Sequence, residues 1–399
     1  MSLFQSKTNV YNIFAGFCLF LLALGINRFA YTPVIPFLIN EHWLTNAQAG
    51  YIGSANFLGY FLGALIAPRL NIRFNTSNLM LGLTVLSLIA ATLCIVKLGF
   101  WWLTTWRLIL GFNGGAIMIL APSLILSHLP DNHKAIVSGF IFAGIGTGTA
   151  VSSISIPYFY SQNNVFGIWA GLAGITLILV LLTWAKCRHA TSQTPIQQRQ
   201  SIQLSAVQRK TFAIALIGYG LYGIGLTPSL LFLSDYAHRS LHMSLHTSSE
   251  LFALLGLGAA VGAILAGILH HKFGNYWAII ITALIGIISL IFIAWFPSLL
   301  FVAISAFLSG FYLIALVTLM SLFIGHLVSM QHHAKYWSYM TLLYGGSQFI
   351  ASYAFSYGLN FNLSYNTMFK IGTLALILSL LCYLCLPKII NKQNNHRTT

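Results

Sequence analysis

The stretch YNIFAGFCLFLLALGINRFAYTPVIPFL, residues 11–38, decides the fold. It is apolar for longer than the roughly 20 residues a helix needs to cross about 30 Å of hydrocarbon, and its one charge is Arg28. It lacks the alternation of a barrel strand. In lipid every backbone N–H and C=O must be satisfied internally, so a run of this kind is a helix. It is also too long for the apolar core of a cleavable signal. Similar stretches recur almost to the C-terminus. They predict spans at residues 11–38, 47–68, 78–97, 100–127, 134–157, 164–186, 210–234, 248–270, 276–296, 298–325, 334–357 and 364–387.

Composition agrees. Charged residues are 6% of 399 and apolar types 58%, against roughly 25% charged in globular domains. So few charges cannot cover a water-facing surface. The net charge of +15 would suit a nucleic-acid partner, but Lys and Arg lie in short interhelical segments and form no basic stripe, so no nucleic acid is expected. Cys18, Cys94, Cys187, Cys382 and Cys385 lie in or beside spans and read as small buried residues, with no disulfide framework. No cofactor or metal is expected. The expected partners are a small-molecule substrate and membrane lipid, for a monomer.

Charge placement sets the orientation. With both termini cytoplasmic in a bacterial inner membrane, the inner segments carry Lys7, Arg69, Arg73, Lys134, Lys186, Arg188, Arg199, Arg209, Lys210, Lys272, Lys335, Lys388, Lys392 and Arg397. The outer ones carry only Lys97, Arg239 and Lys370. An even number of spans follows.

The chain also repeats itself. Tyr31-Thr32-Pro33 is echoed by Leu226-Thr227-Pro228, Gly111-Phe112 by Gly310-Phe311, and Gly146 by Gly346. Thr45 with Gln48, and Thr247 with Glu250, have the spacing of capping boxes. The steps are all near half the chain. The expectation is an all-α membrane protein of twelve transmembrane helices in two pseudo-symmetric six-helix bundles. These would be residues 1–186 and 210–399, the second with a short cytoplasmic tail, joined by the polar cytoplasmic loop 187–209.

That pattern resembles the major facilitator superfamily over essentially the whole chain. Arg107, Gly111, Gly114 and Gly115 look like the family's span-four motif. Gly63 to Arg69 keeps a glycine and a basic residue of the loop after span two, but Ala67 stands where Asp is usual. In the loop after span eight, His271 takes the Asp position. Gly25 to Pro36 (GINRFAYTPVIP) is similar to the YbfB/YjiJ-type branch, with Asn27 replacing a glycine. The resemblance implies a small-solute transporter, not an enzyme, and names no substrate.

Arg28 is the most informative residue, because a charge at a helix centre in the membrane costs about 2.5–3.5 kcal/mol. Arg107 is similarly placed. In the resembled fold both spans line the cavity of the first half, where two guanidiniums would make a fork for a carboxylate or phosphate-like group. The alternative is snorkelling, or bonds to helix-end carbonyls. Asn27, Tyr31, Asn56, Asn113, Tyr222, Tyr312 and Gln348 are further candidates for substrate contact, each also compatible with packing. Tyr219 and Tyr344 fall in the same likely cavity spans.

Of the four acids, Glu41 reads as solvated, Glu250 as a capping residue and Asp131 as a helix N-cap. Asp235 could pair with Arg239 or form an outer gate. With no carboxylate mid-membrane, a coupled proton would ride on the substrate, a histidine or Asp235. Asp235, His271 and Arg69 are the candidates for gating or coupling. His238, His242 and His246 recur every four residues, the spacing of a shared helical face, and read mainly as interfacial. The expected function is alternating-access transport of a small organic solute, anionic or zwitterionic. Efflux of amphipathic drug-like compounds is the alternative, and an intramembrane transferase the alternative of another class.

Overall fold

The computed structural model describes residues 7–126, 131–188, 204–328 and 332–386. Among them every element is a helix. In chain order they are α1 (Lys7–Phe20), a π-helical segment (Leu21–Phe29), α2 (Tyr31–Asn40), α3 (Asn46–Arg73), α4 (Thr76–Leu93), α5 (Phe100–Leu126) and α6 (Asp131–Arg188). There follow α7 (Ala206–Leu231), α8 (Leu233–Arg239), α9 (Leu245–Trp295), α10 (Leu299–Val328), α11 (His333–Leu359) and α12 (Tyr365–Leu384). The polar stretch 189–203 and the side chain of Asp131, with its expected cap, lie outside the described residues.

Nine helices among the described residues are long and apolar enough to cross a membrane. Two of them are double length. Val137–Trp184 is broken at Asn163 and at Asn164 (φ 49°), and Leu245–Trp295 at Gly274 (φ 75°). The breaks at Asn163 and Gly274 fall in the short gaps between the expected spans, and Asn164 is the first residue of the next expected span. Gly274 carries its positive φ without a Cβ clash. α11, at 27 residues, is too rich in Ser, Tyr and Gln to be counted with the nine.

α3 begins at the expected capping box: Thr45 Oγ1 accepts from Gln48 N at 3.3 Å, and Thr45 N donates to Gln48 Oε1 at 3.0 Å. The matching box at Thr247 and Glu250 does not form. Ser244, three residues earlier, is the N-cap of α9 and accepts from Thr247 N at 3.0 Å. The helix therefore starts a turn sooner, and Glu250 meets His246 at 3.3 Å. His238, His242 and His246 do not share a helical face either. His242 has φ 53° in the turn between α8 and α9, and among the described residues no group of three His, Cys, Asp or Glu could hold a metal ion.

Glycines set the helix packing. A Cβ on Gly59 of α3 would lie 2.0 Å from Leu108 O of α5, and one on Gly63 would lie 2.0 Å from Phe112 O. Such backbone contact lets two membrane helices approach closely where no water drives them together. In the second half, a Cβ on Gly258 would lie 1.9 Å from Phe307 O and one on Gly262 2.3 Å from Phe311 O. Each partner has moved by one constant step along the chain, about 200 residues. Across the halves, a Cβ on Gly146 would lie 2.2 Å from Ala260 N, while Gly345 packs on Tyr60 and Phe61.

The first span departs from a plain α-helix. Ala30 N donates to Gly25 O at 3.1 Å, closing the wider turn of the π segment. A Cβ on Gly25 would lie 2.7 Å from Gly148 Cα of α6. The segment is buried throughout, and it ends on Asn27 and Arg28.

Candidate functional site

The π segment delivers Arg28 into the protein, away from lipid: 3% of the residue is exposed. Its guanidinium carbon lies 3.9 Å from the ring centroid of Tyr60 and 4.8 Å from that of Phe57, both on α3. Its Nη2 donates to Gln348 Oε1 of α11, and Gln348 Nε2 donates to the Tyr344 hydroxyl at 2.8 Å. Its Nε has no hydrogen-bond partner. Ring faces and one amide oxygen thus stand in for the carboxylate that a buried guanidinium ordinarily takes. Among the described residues His246–Glu250 is the one ion pair, far along the chain in α9.

Arg107 is also buried, at 2% exposure, but it serves the backbone. Its Nη2 donates to the Arg28 carbonyl at 3.0 Å, and its guanidinium carbon lies 4.7 Å from the centroid of Tyr31. Neither arginine snorkels. The expected two-arginine fork is absent, since Arg107 is spent on the carbonyl that positions Arg28. A π segment leaves carbonyls of its own without α-helical partners, and the one at Arg28 is satisfied from α5.

The other expected residues sort by their partners. Asn56 Nδ2 donates to the Arg107 carbonyl at 2.7 Å and Tyr31 donates its hydroxyl to Ala49 O at 3.0 Å, so both brace the arginines. Asn113 Nδ2 donates to Ser87 Oγ at 3.1 Å, a link between α5 and α4. Asn27 is 1% exposed, and neither amide atom has a hydrogen-bond partner. Tyr222 donates to Leu313 O at 2.5 Å, and Tyr312 packs edge-on against its ring at 5.0 Å.

A small cavity of about 20 Å³, room for about one water, adjoins Arg28. Arg28, Tyr60 and Met118 line one side, and Tyr219, Tyr344 and Trp337 the other. Tyr219 lies 5.4 Å from Tyr344 and 5.8 Å from Trp337, and Tyr222 stacks behind Tyr344 at 5.2 Å. Of the nine residues expected to contact substrate only Arg28 lines it; Asn27, Tyr31, Asn56, Arg107, Asn113, Tyr222, Tyr312 and Gln348 do not. Tyr60, Trp337 and Thr341 line it and were missed from sequence. Trp337, Thr341, Tyr344 and Gln348 step by four, three and four along α11, one helical face that their spacing could have flagged.

Beyond Arg28 the halves meet closely at the end of the bundle that carries the 41–45 and 240–244 turns. Thr32 Oγ1 donates to Leu230 O at 2.5 Å, Arg239 donates to Asn46 Oδ1, and Asn360 Nδ2 donates to the Tyr51 hydroxyl at 3.1 Å. Asp235 sits in the same region, 2% exposed, accepting from the Tyr365 hydroxyl. It does not pair with Arg239, whose hydrogen bond goes to Asn46. Burial pushes the Asp235 carboxyl above its ordinary range, against the Tyr365 hydroxyl and the nearby Arg239 and His238. His271 and Arg69 are exposed near the opposite end, and Arg69 donates to Leu65 O of its own helix at 3.4 Å.

Comparison with known proteins points the same way as the buried cation and the glycine-packed helices. The family described as "Uncharacterised MFS-type transporter YbfB" matches residues 20–384. The uncharacterised MFS-type transporter YceJ of Bacillus subtilis is 22% identical over 304 residues, 73% of this chain and 75% of its own length. A D-xylose transporter of Levilactobacillus brevis is 29% identical over 168 residues, 41% of this chain and 36% of its own. The niacin transporter NiaP of Acinetobacter baylyi is 29% identical over 142 residues, 35% of this chain and 31% of its own. The protein is a multi-pass membrane protein and a transporter, not an enzyme. The chain belongs to the YbfB-type family of MFS transporters.

Proposed function

We propose that the protein is a secondary active transporter for a small organic solute with a carboxylate-like group, moved by alternating access, with Arg28 reading the charge. The observation that carries this is a buried guanidinium, unpaired with any described acid, facing a cavity walled by both halves of the chain. Alternating access needs a site at such an interface, where one bundle can rock against the other around a fixed ligand. Counting α6 and α9 as two crossings each and α11 as one gives twelve. The recurring glycine contacts support two six-helix bundles, 1–186 and 210–399, joined through 187–209.

Both termini are then cytoplasmic, in a bacterial inner membrane, by the excess of Lys and Arg on one side. The closely joined end with Thr32 and Asp235 faces outward, and Asp235 serves as gate or proton carrier. Arg69 and His271 act at the cytoplasmic end. The relative named for niacin, a pyridine carboxylate, fits an anion site better than the one named for a sugar. A second possibility, efflux of amphipathic compounds, is favoured by the aromatic cavity wall. The test is flux in proteoliposomes of purified protein, with and without a pH gradient, for metabolite anions found by thermal shift. Arg28→Gln should abolish anion flux. Transport of neutral amphiphiles alone, unchanged by Arg28→Gln, would establish the efflux alternative.

A further inference from the structure

We infer that the closely joined end of the bundle carries a second anion site, where a small oxyanion and a proton bind together in the hollow lined by His42, His238, Arg239 and His242. This site stands apart from Arg28 and does not depend on its role.

The hollow has the size that the space beside Arg28 lacks. It measures about 580 Å³, within the range of small-molecule sites. The last turn of α2 and His42 supply one wall, and His238, Arg239, His242 and Met243 the other, so both halves contribute. Thr32, one turn earlier in α2, bonds Leu230 across the halves, so along the first span this contact separates the hollow from Arg28.

Its charge is one-sided. No acidic residue lines it. The three acids nearest in sequence are engaged elsewhere: Glu41 accepts from Tyr160 at 2.6 Å, Asp235 accepts from Tyr365, and Glu250 meets His246 at 3.3 Å. Of the lysines nearby, Lys97 lies over Trp43 and Lys370 over Trp295. Arg239 gives one N–H to Asn46 Oδ1, a neutral partner in the other half, and pairs with no described acid. An exposed guanidinium and three imidazoles around one hollow focus a positive field there.

The proton follows from a single hydrogen bond. His238 Nδ1 lies 2.8 Å from the Met243 carbonyl oxygen. A carbonyl only accepts, so Nδ1 carries the hydrogen, and a neutral ring then offers a bare lone pair at Nε2. That lone pair repels an anion. A proton taken from solution at Nε2 makes it a donor and charges the ring, so anion binding and proton uptake favour each other by equal factors. Imidazoles are the side chains that change charge between about pH 5 and 8, so the anion binds more tightly as pH falls.

The experiment titrates purified full-length protein, in an uncharged detergent, with methanesulfonate, an oxyanion whose own charge is fixed between about pH 5.5 and about 8. Calorimetry in buffers of different ionisation enthalpy counts the protons. Binding should be at least about tenfold tighter at the lower pH, with proton uptake. His238→Gln should flatten the pH dependence and lower the uptake, and Arg239→Gln should weaken binding about tenfold at both ends of the range. His42→Gln, in an exposed turn of the other half, should weaken binding at low pH and keeps the test open if a variant in α8 fails to fold. Displacement by phosphatidylglycerol in nanodiscs, with the same pH dependence, supports a lipid phosphate as the occupant; no displacement supports a soluble anion. Equal binding at both pH values, uptake unchanged by His238→Gln, or equal binding of neutral methanesulfonamide overturns the site. Loss of binding in Arg28→Gln overturns it as well, by placing the anion at Arg28.

Discussion

The two halves of the chain share a scaffold and divide the chemistry. Gly59 and Gly63 touch the backbone of Leu108 and Phe112; about 200 residues on, Gly258 and Gly262 touch the backbone of Phe307 and Phe311. The left-handed turn residues pair in the same way, His42 with His242 and Asn164 with Asn362. At the step that relates the glycines, however, Arg107 corresponds to Ala306, Tyr344 to Ile145 and Gln348 to Thr149, and the echo that pairs Thr32 with Thr227 sets Gly223 opposite Arg28. Contacts made through a missing Cβ admit one residue type, so both copies keep them. Side chains that face a cavity have no such constraint. The result is a lopsided site, with its cation from one half and most of its rings from the other.

The sharpest way to break this comparison is at the shared contacts. Gly59→Val and Gly258→Val should both abolish recovery of monodisperse protein from detergent, since either places carbon about 2 Å from a carbonyl oxygen. If size-exclusion chromatography finds one variant folded as well as the wild type, the two contacts are not equivalent. Next comes the unequal pair. Arg28→Gln should weaken anion binding about 10- to 100-fold, from the roughly 1.5–3 kcal/mol of a hydrogen bond to a charged group. In the other half, Thr227→Val, one turn beyond the Gly223 that stands opposite Arg28, should stay within about threefold, because Thr227 bonds only the Gly223 carbonyl of its own helix. Calorimetric titration of both variants checks this.

Gln348 then tests which half supplies the anion's rival. Gln348→Glu should weaken anion binding about tenfold or more, because a tethered carboxylate competes at millimolar effective concentration. Gln348→Leu should not weaken it. The smallest effect is at Asp235, to which residues 11–38 offer no acidic counterpart. A carboxyl whose pKa is raised by folding stabilises the fold most below its unfolded pKa and loses that contribution as pH rises through the folded value. Asp235→Asn should therefore gain melting temperature relative to the wild type as pH rises from about 4 to about 8. A difference that is flat across that range would mean Asp235 does not titrate in the fold.

Much of the fold was legible because membrane helices announce themselves by length. Residues 11–38, the gaps at 163–164 and 274, and the cap at Thr45 all follow from local rules. Glu250 was misplaced because Ser244 offered an earlier cap, and spacing alone does not rank two candidates. His238, His242 and His246 look helical since Leu241-His242-Met243 has no Gly or Pro to mark its turn. For the site, burial of Arg28 and Arg107 could be read from their position in apolar runs. Their division of labour could not, because it depends on which carbonyl the π segment leaves exposed to α5.

That segment also bears on how a cation can be aimed. A π turn holds one residue more than an α turn, so rewinding changes which way the downstream side chains face while both ends of the span stay anchored. Arg28 is at the downstream edge of Leu21–Phe29, and the middle of the segment, Gly25, lies against Gly148. The extra residue of the π turn thus sets the bearing on which the first span presents its one charge. An inserted or deleted residue between Leu21 and Phe29 would change that bearing and also disturb the contact of Gly25 with Gly148.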